Sequence, residues 1–88
     1  MEVIIRKGNL GENDIVAFDV TKQCEEDYIF CIDMNGNADT ACIDYYNNST
    51  SVTPAEENKM INYLKEKYNT DIKIRKNLTK KLKESIWN

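Results

Sequence analysis

The sequence contains no histidine, and that absence removes several functions at once. Ser49, Ser51, Cys24, Cys31 and Cys42 have no imidazole to activate them, so Ser-His and Cys-His catalysis are excluded. A zinc site would have to recruit all three cysteines plus a carboxylate, and no CxxC pair occurs. Three is an odd number for a disulfide framework, so the thiols are expected to be reduced and to act as small apolar residues. Glycine is scarce too: Gly8 and Gly11 are not followed by Gly-Lys-Ser/Thr, so no phosphate loop exists. No apolar run approaches the roughly 18 residues needed to cross a bilayer. The start, Met-Glu-Val-Ile-Ile-Arg, is neither basic nor long enough for a signal peptide. These absences point to a cytoplasmic protein without cofactor or metal, and not to an enzyme.

Proline, arginine and tryptophan are also rare, while Asn, Lys, Ile and Tyr are abundant. That bias is typical of AT-rich coding DNA, as in low-GC bacteria and their phages. A host-cell cytoplasm, bacterial or phage-infected, is the expected setting.

What is present is charge, in two blocks. Residues 1–57 hold three basic residues against twelve acidic ones, a net of −9. Residues 58–88 hold nine basic against three acidic, a net of +6, and together the blocks give the net charge of −3. A surface of one sign selects partners of the other over long range.

Eighty-eight residues make a single domain, 1–88, with one thin core. Glu2 to Arg6 reads as a first strand and Lys7 to Asn13 as a loop. Asp14 to Val20 alternates, with Val16, Phe18 and Val20 on one face, as a half-buried strand does. Tyr28 to Met34 and Thr40 to Tyr46 are aromatic and β-branched runs around Asn-Gly-Asn, a hairpin signal. A four-residue connection over 35–38 pairs Ile32 with Ala41, Phe30 with Ile43 and Tyr28 with Tyr45, and sets Cys31 against Cys42. An Asn35-Gly36 turn keeps that parity but sets Ile32 against Asp39, so the first register is preferred.

Thr53-Pro54-Ala55-Glu56 is a helix start with cap, N1 proline and capping box. Met60, Ile61, Leu64 and Tyr68 continue it at helical spacing until Asn69-Thr70. Asp71 to Lys76 alternates as a further strand. Leu78, Leu82 and Ile86 make a short last helix that Trp87 anchors. The expected fold is α+β, in the order ββββαβα: an antiparallel sheet with one main helix on one face and a short C-terminal helix.

Two surfaces stand out. Asp19, Asp33, Asp39 and Asp44 are expected on the face opposite the apolar one or beside the hairpin turn, with Glu25, Glu26 and Asp27 in the preceding turn. Tyr46 is expected to point outward where its strand enters a loop, a suitable contact residue. Together these make a surface for docking on a basic protein, much as a nucleic-acid mimic would. The second surface is Lys73, Arg75, Lys76, Lys80, Lys81 and Lys83, which could hold phosphates. Against it stand one arginine in the run, no interleaved aromatics and a sequence pI near 4.9.

The leading expectation is therefore an inhibitor that occupies the basic surface of a nucleic-acid-handling enzyme. Small, acidic phage proteins of the anti-CRISPR and anti-restriction kinds share this profile, which is a likeness of type and carries no residues across. The alternatives are a nucleic-acid-binding accessory protein working through 73–83, or a small structural or oligomerising subunit. Among the thiols, Cys24 in the acidic turn is expected to be the most accessible.

Overall fold

The computed structural model describes residues 1–11 and 13–87; Glu12, within the loop expected at 7–13, lies outside them. Five strands form one sheet: β1 (Glu2–Lys7), β2 (Ile15–Asp19), β3 (Tyr28–Asp33), β4 (Ala38–Cys42) and β5 (Lys73–Ile74). Their spatial order is β4-β3-β2-β1-β5. The first four strands pair antiparallel in sequence order, while β5 lies parallel to β1. The class is α+β, as the sequence indicated, but the sheet is mixed and not purely antiparallel.

The described residues also form three helices: α1 (Ile43–Asn47), α2 (Pro54–Tyr68) and α3 (Lys80–Ile86). The start of α2 forms for local reasons. Thr53 Oγ1 accepts the Glu56 N–H at 3.2 Å, and the Glu56 carboxylate accepts the Thr53 N–H at 2.8 Å. Asn69 ends the helix in the left-handed region at φ 49°. Met60 and Leu64 then pack down on Val3, Ile5, Ile15, Ala17 and Ile32.

Helices were expected on one face only, and here the structure differs. The opposite face is a second core of Ile4, Val16, Phe18, Val20, Ile29, Ile43 and Ile86, closed by α1 and α3. β2 is thus buried along its whole length. Its second face, Ile15 and Ala17, is apolar because it meets α2. Asp19 is buried as well, at 2% exposure. Its Oδ1 accepts both the backbone N–H and the hydroxyl of Thr21, so it belongs to a turn and not to a solvated face.

The hairpin differs in register. Asp33 N–H donates to the Asn37 carbonyl at 3.0 Å, which sets Ile32 against Ala38, Phe30 against Thr40 and Tyr28 against Cys42. Parity is the reverse of the expected one, and Cys31 faces Asp39. The Asp33 carboxylate makes the difference by capping the turn. It accepts the N–H groups of Asn35 (2.8 Å) and Asn37 (3.0 Å) and the Asn37 side-chain amide (2.8 Å). Nor does the strand run to Tyr46; it stops at Cys42, and the next five residues coil into α1.

These corrections reorder the thiols. Cys42 is exposed, while Cys24 and Cys31 are half-buried. Burial pushes both half-buried thiols up, and the Asp33, Asp39 and Asp14 carboxylates raise Cys31 further. Timed alkylation of the folded protein is expected to label Cys42 first, not Cys24. Either of the others reacting ahead of Cys42 would contradict this register.

Candidate protein-binding face

α3 crosses only part of its sheet face. Its C-terminal end is fixed at the start of β3, where the Trp87 indole N–H donates to the Tyr28 carbonyl at 2.7 Å and Cys24 N–H to the Ile86 carbonyl at 2.8 Å. Towards the hairpin turn the same face stays open, leaving a pocket of about 260 Å³. Val16, Cys31 and Ala41 from three adjacent strands line it with apolar atoms. Asp14, Asp33 and Asp39 supply carboxylates, Tyr45 comes from α1, and Leu10 lies at its edge.

Each of these groups is held by its own element. Asp14 opens β2, and its Oδ2 accepts the Leu10 N–H at 3.0 Å and the Tyr45 hydroxyl at 2.6 Å. That contact ties Leu10 to the start of β2 and leaves it 80% exposed. Gly8 stands so close that a Cβ there would collide with the Asp14 carboxylate and the Tyr45 hydroxyl. Burial, and then the Asp14 carboxylate, raises the Tyr45 phenol above its ordinary value, so Tyr45 stays a neutral donor. Asp33 goes the other way. Although burial would raise its carboxyl, the hydrogen bonds from Asn37 and Asn35 hold it below its ordinary value.

Of the acidic residues singled out in the sequence, the structure gathers Asp33 and Asp39 at this pocket, and Asp14 joins them. Asp44 is exposed on α1. Glu25, Glu26 and Asp27 are exposed at the opposite end of β3, where the Asp27 carbonyl accepts the Ile43 N–H at 2.7 Å. All lie on or beside the β3–β4 hairpin. Glu25 lines a second hollow of about 310 Å³ with Tyr28 and Thr40. Lys22 and Lys67 both approach the hairpin. Lys22 lies over the Phe30 ring at 4.2 Å, and Lys67 donates to the Tyr63 hydroxyl within reach of Asp33.

Tyr46 does not point outward. Its ring meets Phe18 edge-on at 5.2 Å, its hydroxyl accepts the Leu78 N–H at 3.1 Å, and Arg6 lies 5.9 Å from the ring centre. Tyr46 is therefore engaged inside the fold.

The basic segment is divided. Arg75 pairs with Glu2 at 2.5 Å and lines a groove with Lys76, Arg6 and Glu57. Lys80 and Lys83 share a cleft with Glu26, Glu84 and Trp87, while Lys73 and Lys81 are exposed. Carboxylates interrupt the positive charge in both places. Among the described residues, no three Cys, Asp or Glu side chains converge as a metal ion would require, and no helix is long and apolar enough to cross a membrane.

Sequence reasoning missed Asp14 and Leu10. The available signal was Leu10 itself, a lone leucine in a loop otherwise built of polar residues and glycine. No protein-family model matches the chain, and no curated protein or solved structure aligns with it significantly.

Proposed function

We propose that this chain is a non-enzymatic protein-binding inhibitor, docking through its acidic β3–β4 hairpin on a basic protein surface. The observation that carries this is the excess of carboxylates on the hairpin and its flanks, which Lys22 and Lys67 approach from outside the segment. Between Gln23 and Asn58 there is no lysine or arginine, and the carboxylates of Asp14, Asp33 and Asp39 surround an open apolar floor. A soluble surface without a partner usually mixes signs. Surfaces built to hold phosphate backbones carry basic charge of that extent. The target class is accordingly a nucleic-acid-handling enzyme in the cytoplasm of a bacterial or phage-infected cell, blocked by occupancy as anti-CRISPR and anti-restriction proteins block theirs.

The test needs charge reversals that spare the fold. Asp33 is unsuitable because its carboxylate caps the turn, whereas Asp39 and Asp44 are exposed. A protein captured by the wild type from a bacterial lysate is expected to bind the Asp39→Lys, Asp44→Lys double variant about tenfold or more weakly, mainly through slower association. Affinity should also fall steeply from low to high salt. A captured partner indifferent to both the reversal and the salt would end this proposal. Mobility-shift assays complete the test: retention of DNA or RNA that disappears with Lys80→Ala and Lys81→Ala would put the basic segment in its place.

A further inference from the structure

The two edges of the sheet are unequal. The β5 edge is two residues long and carries Lys73, with the Arg75–Glu2 ion pair beside it, a short and charged edge of the kind that resists pairing. The β4 edge runs from Ala38 to Cys42, Ala-Asp-Thr-Ala-Cys, with no lysine or proline, and among the described residues no strand pairs with its outer side.

Which groups face outward follows from the ladder. The Asp33–Asn37 and Asp27–Ile43 hydrogen bonds bracket it, and bonded pairs alternate in an antiparallel pair. Cys31–Asp39 and Ile29–Ala41 are then the bonded pairs, so Ala38, Thr40 and Cys42 direct their backbone N–H and C=O away from β3. Of these groups, Thr40 N–H is occupied, with the Asp39 carboxylate accepting it at 2.7 Å. A hollow flanks this edge on each face: Asp14, Asp33 and Asp39 around Val16, Cys31 and Ala41 on one, and Glu25 with Tyr28 and Thr40 on the other.

We infer that β4 accepts an extended basic segment of the partner as a sixth strand, an inference that rests on the acidic-face proposal and specifies its mode. Side chains of an added strand alternate between faces, so each hollow receives every second one. An arginine or lysine entering the first hollow lays its aliphatic stem on Val16, Cys31 and Ala41 and brings its charge to the three carboxylates. Asp39 releases Thr40 N–H to the incoming carbonyl and turns to that cation. Main-chain bonds supply affinity, and the two hollows supply selection for basic residues. A second copy of this chain is a poor occupant, because β4 on β4 brings Asp39 and the flanking carboxylates of one copy towards those of the other.

The probe is a ten-residue peptide of alternating Arg-Arg and Thr-Thr pairs, which presents arginine on both faces, titrated into the isotope-labelled full chain. Amide shifts are expected to concentrate on residues 38–42, and saturation should slow Cys42 alkylation about tenfold or more. The same peptide with alternate backbone nitrogens methylated keeps its charge but loses its edge donors, and is expected to bind at least about tenfold more weakly. Thr40→Pro should weaken the unmodified peptide likewise, since the lost N–H faces away from β3. Equal binding of the methylated and unmodified peptides, at the hairpin, would overturn strand addition and leave the acidic-face proposal standing. No binding of either peptide at low salt would overturn both. Sedimentation showing a dimer that excludes the peptide would assign the edge to a second copy and sink the inference.

Discussion

Truncating Phe18 to alanine is expected to cost about 3–5 kcal/mol, enough to unfold much of an 88-residue protein whose total is of similar size. Phe18 lies on β2, a central strand, fully buried at 0% exposure. Tyr45 and Tyr46 both pack edge-on against its ring, at 5.8 and 5.2 Å. The damage spreads beyond the cavity because those tyrosines fix other segments. Tyr45 holds Asp14 and through it the backbone of Leu10, and Tyr46 holds the backbone of Leu78 before α3. Phe18→Ala should therefore loosen the acidic pocket even in molecules that stay folded. Chemical denaturation checks the first part, and hydrogen exchange at Leu10 and Leu78 the second. A loss under about 1 kcal/mol would mean that the α1 side collapses onto the vacated space.

The same residue shows why the sequence was legible only in part. Elements with local causes were read well. The capping box at Thr53 and Glu56, the αL stop at Asn69 and the apolar spacing of Met60 and Leu64 all act within one turn or along one helix face. Trp87 was likewise placed as an anchor, and its indole does bond to the Tyr28 carbonyl. What failed depended on partners distant in sequence. Ile43, Tyr45 and Tyr46 have strand propensity, and a run from Thr40 to Tyr46 satisfies it. Burying Ile43 and both rings against Phe18 favours one helical turn instead, a tertiary preference overriding a local one. The alternation on β2 was seen correctly, yet Ile15 and Ala17 on its other face already announced a second covered side.

The candidate site was half visible for related reasons. Charge segregation is a property of composition, so the acidic hairpin could be located without a structure. Where each carboxylate ends up could not. Asp19, Asp33 and Asp39 look alike in sequence, but Asp19 is buried under its bonds to Thr21, Asp33 closes the hairpin turn, and Asp39 stands on the open edge. Hairpin register decides that last assignment. With the expected parity reversed, Asp39 moves from facing Ile32 or the turn to facing Cys31, and so to the rim of the pocket. A shift of three residues, an odd number, sent every β4 side chain to the other face.

Placing a carboxylate at Ile86 should separate α3 from the sheet. Ile86 is 2% exposed and packs in the second core with Ile4, Phe18 and Ile29. An unpaired charge there has no partner to offset its desolvation, an expense on the order of 3–5 kcal/mol. A short helix can avoid that cost by leaving, since few hydrogen bonds among the described residues tie it to the sheet. The named ties are Cys24 N–H to the Ile86 carbonyl, Leu78 N–H to Tyr46 and the Trp87 indole to Tyr28. Local release of α3 is thus the expected outcome, with β1–β4 kept by the α2 core, whose Met60 and Leu64 do not touch Ile86. Trp87 is the single tryptophan, so its fluorescence should shift to the red. Cys24, freed from beneath the helix end, should alkylate faster. Lys81→Asp, a larger charge change at an exposed position of the same helix, should alter neither signal. Ile86→Asp with unchanged emission and an unchanged Cys24 rate would show that α3 does not close this face. A full loss of structure would show instead that the two cores form one cooperative unit, each failing without the other.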